Sequence, residues 1–167
     1  ALQIASLGVS AIGVIGVKGS PRFIPSIKRA NLFKELNHSN PEVSRVLVLA
    51  DIQESDLKEI LKKDGLPSII QLHGNESKQL CLELKQQYPQ FKFWKAFRIR
   101  SKEDLELIKD YENIVDAILL DAWSQDKLGG TGNRLDIKLL KGENFNLPWW
   151  IAGGINNECI GDILNNL

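Results

Sequence analysis

The sequence predicts an α/β fold in which six parallel strands alternate with helices. Short β-branched apolar runs alternate with longer amphipathic segments, and this alternation continues along all 167 residues. The runs are almost continuously apolar, which is typical of parallel strands whose two faces are covered by crossover helices. Polar or glycine-rich residues follow five of the six runs, and the functional residues of such sheets lie at the carboxyl ends of the strands.

The elements follow in order along the chain, beginning with a helix over Leu2–Gly8. The six predicted strands are Ala11–Val17, Arg45–Ala50, Ser68–Leu72, Lys92–Phe97, Asp116–Asp121 and Pro148–Gly153. Each of them is an apolar run of the length that a buried strand needs.

Apolar stripes with helical spacing predict helices between the strands. Three such stripes are Leu57, Ile60 and Leu61; Leu80, Cys81, Leu84 and Tyr88; and Ile160, Ile163, Leu164 and Leu167. Ser101 followed three residues later by Asp104 predicts a capping box, and Gly65 predicts a helix end. We expect each stripe to face the core rather than a cofactor.

Length and composition predict one soluble domain over residues 1–167. The 21 basic and 21 acidic residues give a net charge of zero, which argues against a nucleic-acid or anionic-membrane partner. No apolar run approaches the ~18 residues of a membrane helix, and no signal pattern opens the sequence, so we expect a cytoplasmic protein. Cys81 and Cys159 are expected to be structural thiols, because their spacing supports neither a disulfide framework nor a metal site.

Periodicity leaves two architectures open. An open doubly wound sheet satisfies the strand count, although no G-x-G-x-x-G follows the first strand and "GGTGNR" lacks the Lys-Ser/Thr of a P-loop. An eight-stranded β/α barrel without one strand at each end fits equally well.

Several polar residues at the strand ends have a structural as well as a functional interpretation. Arg22, which follows Pro21, is either a surface arginine or a ligand contact. His73, close to Gln71 and Glu76 in "QLHGNES", is either a hydrogen-bonded loop histidine or part of a site. Lys95 in "KFWKAF" would be buried and would need a partner, which is either a structural ion pair or a substrate.

Asp121 and a glycine pair are the remaining candidates. Asp121 ends the run "AILLD", where desolvation favours the protonated carboxyl and leaves it able to donate a proton near neutral pH. Gly153 and Gly154 precede the last helix and offer backbone N–H groups to an anion, as in the phosphate sites of β/α barrels.

Taken in order, "SPRFI", "IIQLHGNES", "KAFRI", "LLDAWSQDKLGGTG" and "WIAGGINNE" closely resemble the phosphoribosylanthranilate isomerase family of tryptophan biosynthesis. The resemblance spans essentially the whole chain, and the succession of "QLHG", "LLDA", "GGTG" and "AGG" is highly specific. It implies a single-domain (β/α)8 TIM barrel without metal or organic cofactor. The six runs would then be its second to seventh strands, with the first and last strands absent from the sequence.

The resemblance implies an Amadori rearrangement of N-(5-phosphoribosyl)anthranilate. A general acid protonates the furanose ring oxygen and opens the ring to a protonated imine, and a general base then removes the C2 proton. It implies that Asp121 is the acid and that Arg22 holds the anthranilate carboxylate through charge-assisted hydrogen bonds.

The resemblance also assigns the binding residues. Gly153 and Gly154 would bind part of the phosphate, and Gln71 and His73 would line the pocket. The glycines of a further loop, expected to lie over the pocket and shape access to it, are Gly129, Gly130 and Gly132. The expected partner is a small phosphorylated substrate, bound by a monomer or homodimer that binds neither nucleic acid nor a membrane.

One feature of the family is missing from the sequence. The family's general base is a cysteine in a "KICG" motif on the first strand, and this motif does not occur. Neither Cys81 nor Cys159 is expected to replace it, because both belong to helical segments. We expect the first and last strands to exist outside the printed sequence, because a barrel without them exposes two parallel edges that invite aggregation. The alternative is a truncated, inactive chain, and the mass of the purified protein distinguishes the two.

Two other functions stay open. The first is another phosphate-binding barrel enzyme, such as indole-glycerol-phosphate synthase, which would show catalytic lysines and a glutamate at its strand ends. The second is a barrel that binds a phosphorylated metabolite without turning it over.

Overall fold

The structure, a computed structural model, describes residues 1–62, 64–122 and 134–167. The chain divides into two compact units, Ala1–Phe93 and Trp94–Leu167. That they form one domain stays a prediction. Within the described residues, none of the helices combines the length and the apolar character needed to span a membrane.

All six predicted strands are present. The elements in chain order are α1 (Leu2–Ala5), β1 (Ala11–Ile15), α2 (Ser26–Ser39), β2 (Ser44–Leu49), α3 (Glu54–Leu61), β3 (Ile69–Leu72), α4 (Lys78–Gln87), β4 (Lys92–Ile99), α5 (Lys102–Glu106), β5 (Ala117–Ala122), β6 (Trp149–Ile151) and α6 (Ile160–Asn166). Two 3-10 turns, Leu107–Tyr111 and Ile137–Leu140, follow α5 and β5.

The first unit contains a parallel sheet of β1, β2 and β3. β2 lies in the middle, and its register pairs Val48 with Ile15 on one side and with Gln71 on the other. Every residue of β3 is buried, as the almost continuous apolar run predicts. The helices contribute Phe33, Leu36 and Leu57 to the core, all almost completely buried.

The second unit contains a parallel arrangement of β4, β5 and β6. Arg98 of β4 pairs with Asp121 of β5, so the end of β5 lies beside β4. The rings of Trp94 and Trp150 stack with their centroids 5.2 Å apart. β6 is shorter than predicted and none of its residues is fully buried.

The predicted helical stripes have different outcomes. Leu57 in α3 and Cys81 and Leu84 in α4 are buried, so these two stripes contribute to the core as predicted. The stripe of α6 does not, because none of the helix's residues is buried and Leu164 is 74% exposed. Spacing shows that a helix has an apolar face, but an apolar face is buried only where another element packs against it.

The capping box of α5 is confirmed, since the side chains of Ser101 and Asp104 each accept the other residue's backbone N–H. Gly65, predicted to end a helix, lies beyond the C-cap Lys62 of α3 and has a φ of +70°. Its Cα lies so close to the carbonyl of Ala30 that a side chain there would collide with this backbone.

Candidate active site

Arg22 lies in the loop that follows β1 in the first unit. The loop turns tightly, because Phe23 N–H donates to the carbonyl of Ser20 at 3.0 Å and Ile24 N–H returns to that of Ile15 at 3.0 Å. The Arg22 side chain is exposed. Among the described residues, none accepts a hydrogen bond from its guanidinium, which is therefore available to an anionic ligand.

A second arginine supports this loop from the inside. Arg29 of α2 is 5% exposed, and its Nη1 donates to the carbonyl of Ile24 at 3.0 Å. Its guanidinium carbon lies 6.0 Å from the ring centroid of Phe23. Burial lowers the pKa of Arg29, but an arginine starts so far above neutrality that it keeps its charge. The sequence reasoning did not identify Arg29, because its position in α2 carries no motif.

Gln71 and His73 lie side by side at the end of β3, as their i, i+2 spacing requires. Gln71 is 6% exposed, and its Nε2 lies 2.8 Å from Nδ1 of His73. With the amide nitrogen as the donor, Nδ1 of a neutral imidazole is the acceptor, and this arrangement corresponds to the tautomer with its proton on Nε2. The His73 N–H continues the ladder by donating to the carbonyl of Leu49 at 2.7 Å. The structure therefore brings these two predicted residues together.

Glu76 is also a residue of this strand end. Its carboxylate accepts the N–H of Asp51, which follows β2, at 2.8 Å, and the N–H of Gly74 at 3.0 Å. The sequence placed Glu76 among the polar residues after the third strand without giving it a role. It gave no indication of Asp51, whose φ of 51° is unusual for a residue with a side chain.

Asp121 lies at the carboxyl end of β5 in the second unit and is 5% exposed. Its Oδ1 accepts the N–H of Ala122 at 2.9 Å, which fixes the carboxyl group against its own backbone. A buried carboxyl group at the end of a parallel strand has the position that a general acid needs.

Gly153 packs against the end of β5, next to Asp121. The chain reaches it from β6 through the hydrogen bond from Ala152 N–H to the carbonyl of Leu120, 2.8 Å long. A Cβ on Gly153 would lie 2.9 Å from Asp121 Oδ1 and 2.6 Å from the Cβ of Ala122. Glycine is therefore required here for space as well as for its φ of +89°.

Gly153 and Gly154 both have positive φ and are half-buried. Within the described ranges, their N–H groups donate to no protein acceptor, so both can bind an anion. They do not open α6 directly, because a turn held by the Asn156 side chain separates them from Ile160. The predicted phosphate site therefore has backbone donors but no helix end immediately behind them.

Two basic residues, Lys95 in β4 and Arg100 just after it, differ in their surroundings. Lys95 is 4% exposed, and its Nζ donates to the carbonyl of Ala96 at 3.0 Å and lies 5.4 Å from the ring centroid of Phe97. Arg100, just after the strand, belongs to the start of α5, where its Nε lies 3.5 Å from Asp104 Oδ2. This contact helps to hold the start of α5.

Three predicted loop residues, Gly129, Gly130 and Gly132, lie outside the described residues. Both cysteines are thiols that are not joined in a disulfide, Cys81 in the core and Cys159 half-buried. Over the described parts of the chain, histidine, cysteine and carboxylate side chains form no cluster of three or more that could hold a metal ion.

Comparisons with known proteins agree on one family. The sequence profile of "N-(5'phosphoribosyl)anthranilate (PRA) isomerase" matches residues 2–167. The N-(5'-phosphoribosyl)anthranilate isomerase of Thermosynechococcus vestitus is 39% identical over 158 residues, which are 95% of this chain and 67% of that protein. That of Nostoc punctiforme is 37% identical over 166 residues, which are 99% of this chain and 77% of that protein.

Solved structures show the fold. The crystal structure of phosphoribosyl anthranilate isomerase from Thermotoga maritima superposes with a TM-score of 0.81 at 22% identity, covering 98% of this chain and 77% of that one. A phosphoribosyl anthranilate isomerase in complex with reduced 1-(o-carboxyphenylamino)-1-deoxyribulose 5-phosphate has a TM-score of 0.73 at 21% identity, covering 98% and 75%. The predicted (β/α)8-barrel fold class is thereby confirmed. With this fold and these sequence matches, the chain belongs to the N-(5'-phosphoribosyl)anthranilate isomerase family.

Proposed function

We propose that this protein isomerises N-(5'-phosphoribosyl)anthranilate to 1-(2-carboxyphenylamino)-1-deoxyribulose 5-phosphate, a step of tryptophan biosynthesis. The observation that carries the proposal is the family match over residues 2–167. The family match also decides against a barrel enzyme of another family, such as indole-glycerol-phosphate synthase.

Asp121 is the general acid of the proposed mechanism. Its carboxyl proton passes to the furanose ring oxygen while the bond from this oxygen to C1 breaks, and the nitrogen lone pair forms the C1 imine. The bond from Ala122 N–H holds Oδ1 in place, and burial keeps competing water away from the carboxyl group.

The second proton transfer removes the C2 proton and gives an enolamine, which becomes the ketone. The resemblance assigns this step to the cysteine of a "KICG" motif, which does not occur in the printed sequence. None of the printed residues is proposed as the base, since Cys81 lies in α4 and Cys159 at the N-cap of α6.

Arg22 is proposed to bind the anthranilate carboxylate. Its guanidinium is exposed and can form two parallel charge-assisted hydrogen bonds with a carboxylate. The loop that carries it is held by the buried Arg29 through the carbonyl of Ile24. An exposed side chain on an anchored loop suits a ligand whose aromatic ring has to enter and leave.

The phosphate is proposed to bind the N–H groups of Gly153 and Gly154, which lack protein acceptors in the described residues. Backbone donors recognise a phosphate without the entropic cost of ordering long side chains. In the first unit, the His73 imidazole, which lies 2.8 Å from the Gln71 amide, is proposed to contact the substrate together with Gln71.

The proposed reaction indicates the ligand of the enzyme and its expected location in the cell. Its ligand is a small phosphorylated molecule, and a biosynthetic isomerase of this kind is expected in the cytoplasm. That it is a monomer or a homodimer and binds no nucleic acid stays a prediction.

Replacing Asp121 by Asn tests the proposal in the full-length protein. We expect isomerase activity to be abolished, because an amide cannot donate the required proton. Affinity for the reduced product analogue should stay within about tenfold, or ~1.4 kcal/mol, of the wild-type value. Steady-state kinetics and calorimetric titration measure the two quantities.

Asp116→Asn is the matched control, because Asp116 directly precedes β5 while Asp121 lies near its other end. It should leave turnover unchanged. Near-normal turnover in Asp121→Asn would remove this residue from the mechanism, and a wild-type protein that binds the analogue without turnover would make it a non-catalytic barrel.

A further inference from the structure

Glu76 is a buried carboxylate that the proposed mechanism does not use. It lies just before α4 and is 4% exposed, although it belongs to a loop. A carboxylate is rarely buried unless hydrogen bonds replace its water shell. The groups that donate hydrogen bonds to Glu76 therefore show which parts of the chain its carboxylate joins.

The partners of Glu76 belong to the loops after two neighbouring strands. Oε1 accepts the N–H of Asp51, after β2, at 2.8 Å. Gly74 N–H, after β3, lies 3.2 Å from Oε1 and 3.0 Å from Oε2. In the opposite direction, Asp51 Oδ1 accepts the N–H of Asn75 at 2.7 Å. Two carboxylates thus join the loops by reciprocal hydrogen bonds to backbone groups.

The backbone is shaped to permit this arrangement. Asp51 has a φ of 51°, which is unusual for a residue with a side chain, and its N–H donates to Glu76 Oε1. Gly74 packs so closely against the backbone nitrogen and the carboxylate of Asp51 that a Cβ would collide with both. A residue with a side chain at position 74 would push the two loops apart.

Two backbone hydrogen bonds hold the chain at His73. Its own N–H donates to the carbonyl of Leu49 at 2.7 Å, and the next N–H, that of Gly74, is held by Glu76. The imidazole is in turn 2.8 Å from the Gln71 amide. The orientation of the Gln71–His73 pair therefore depends on the backbone that Glu76 fixes.

We propose that Glu76 is a positioning residue, whose carboxylate joins the loops after β2 and β3 and so sets the orientation of His73 and Gln71. The inference rests on the proposed function, which makes these two side chains substrate contacts. An amide cannot replace the carboxylate, because its NH2 group would face the N–H of Gly74 or Asp51 with no acceptor.

The ring nitrogens of His73 give a test that does not depend on activity. The sequence contains only two histidines, and exposed His38 of α2 serves as the internal reference. In the full-length wild type, 15N NMR should show the His73 proton on Nε2. In Glu76→Gln we expect the two His73 signals to move toward each other as both tautomers become populated, with those of His38 unchanged.

Binding and kinetics provide the second measurement. In Glu76→Gln, the Kd for the reduced product analogue and the KM should rise about tenfold. The kcat should change less than about threefold, because Asp121 performs the proton transfer. Glu83→Gln is the matched control, since Glu83 of α4 is exposed and bonded only to Gln79 in the described contacts. It should leave every measurement unchanged.

Asp51→Gly covers the case in which Glu76→Gln does not fold. It keeps the positive φ at position 51 and removes the hydrogen bond to Asn75. The His73 signals, the Kd and the KM should therefore change in the same directions as in Glu76→Gln, but by smaller amounts. A variant that only unfolds more easily, with wild-type His73 signals and Kd, would overturn the proposal. If the wild type neither binds the analogue nor turns over substrate, the proposed function fails, and the NMR measurement still decides the role of Glu76.

Discussion

Gly153→Ala is the perturbation whose effect can be worked out most directly from the structure. The methyl group would lie 2.6 Å from the Cβ of Ala122 and 2.9 Å from Asp121 Oδ1. Real Cβ atoms do not approach other atoms so closely, so the backbone after β6 or the end of β5 has to move. The φ of +89° adds strain, because only glycine adopts this conformation without cost.

The free energy of unfolding is expected to fall by about 2 to 5 kcal/mol. Backbone strain from a positive φ contributes about 1 to 2 kcal/mol, and forcing an extra methyl group into filled space contributes about 1 to 3 kcal/mol. The activity should fall further than stability alone explains, because displacing a catalytic group by about 1 Å costs on the order of a hundredfold in rate.

Gly142→Ala separates the two contributions. Gly142 has a φ of +81° and no atom within 4 Å of an added Cβ, so only the strain acts there. Urea unfolding gives the free energy of unfolding of both variants, and the difference between them is the cost of the steric contact at position 153. Steady-state kinetics of Gly153→Ala gives the effect of this contact on turnover. If the two variants unfold with the same free energy and Gly153→Ala keeps its kcat, the close approach to Asp121 does not constrain the site.

Two further predictions concern Arg22 and Asp104. Arg22→Ala should raise KM about tenfold or more through the loss of a charge-assisted carboxylate contact, and unchanged kinetics would return Arg22 to the role of a surface arginine. Burial alone would raise the pKa of Asp104, but hydrogen bonds from Arg100 and Ser101 outweigh it and lower the pKa overall. The carboxylate therefore stabilises the fold above its unfolded-state pKa and loses this effect as the pH falls through the folded-state pKa. Asp104→Asn should lower the free energy of unfolding by about 0.5 to 2 kcal/mol at pH 7. In urea titrations, the difference from wild type should shrink below about pH 4. A difference that stays constant with pH would contradict this role of the Asp104 carboxylate.

The strands could be predicted because burial in a parallel sheet makes a strand apolar along its whole length. β2, β3 and β5 agree with the apolar runs to within one residue at either end. β1 and β6 are shorter than their runs, because hydrophobicity does not mark where the ladder of hydrogen bonds stops. The run of β6 includes Gly153, whose positive φ turns the chain out of the strand direction.

The site could be predicted only as far as single positions allow. A carboxylate at the end of an apolar run marked Asp121 as a candidate acid, which stays a prediction, and the i, i+2 spacing placed Gln71 beside His73. The contact between Asp51 and Glu76 joins residues that are 25 positions apart. Its formation depends on the register of β2 and β3, which no local pattern contains.

Glycines at strand ends carry more of this missing information than the polar residues do. Gly16, Gly74 and Gly153 follow β1, β3 and β6, and an added Cβ at each would meet side chains from elsewhere in the fold. These are the methyl groups of Leu47 and Leu49 at 2.9 Å, the Asp51 carboxylate at 2.5 Å, and the Cβ of Ala122 at 2.6 Å with Asp121 Oδ1 at 2.9 Å. Gly19 and Gly161, which lie away from strand ends, have open space instead. Because a neighbouring side chain occupies the volume that a Cβ would fill, each glycine and its neighbours are required together. At Gly74 and Gly153 these neighbours include the carboxylates of Asp51 and Asp121. A glycine soon after a parallel strand therefore indicates that a side chain from elsewhere in the fold packs against the backbone there, even where the sequence does not reveal which one.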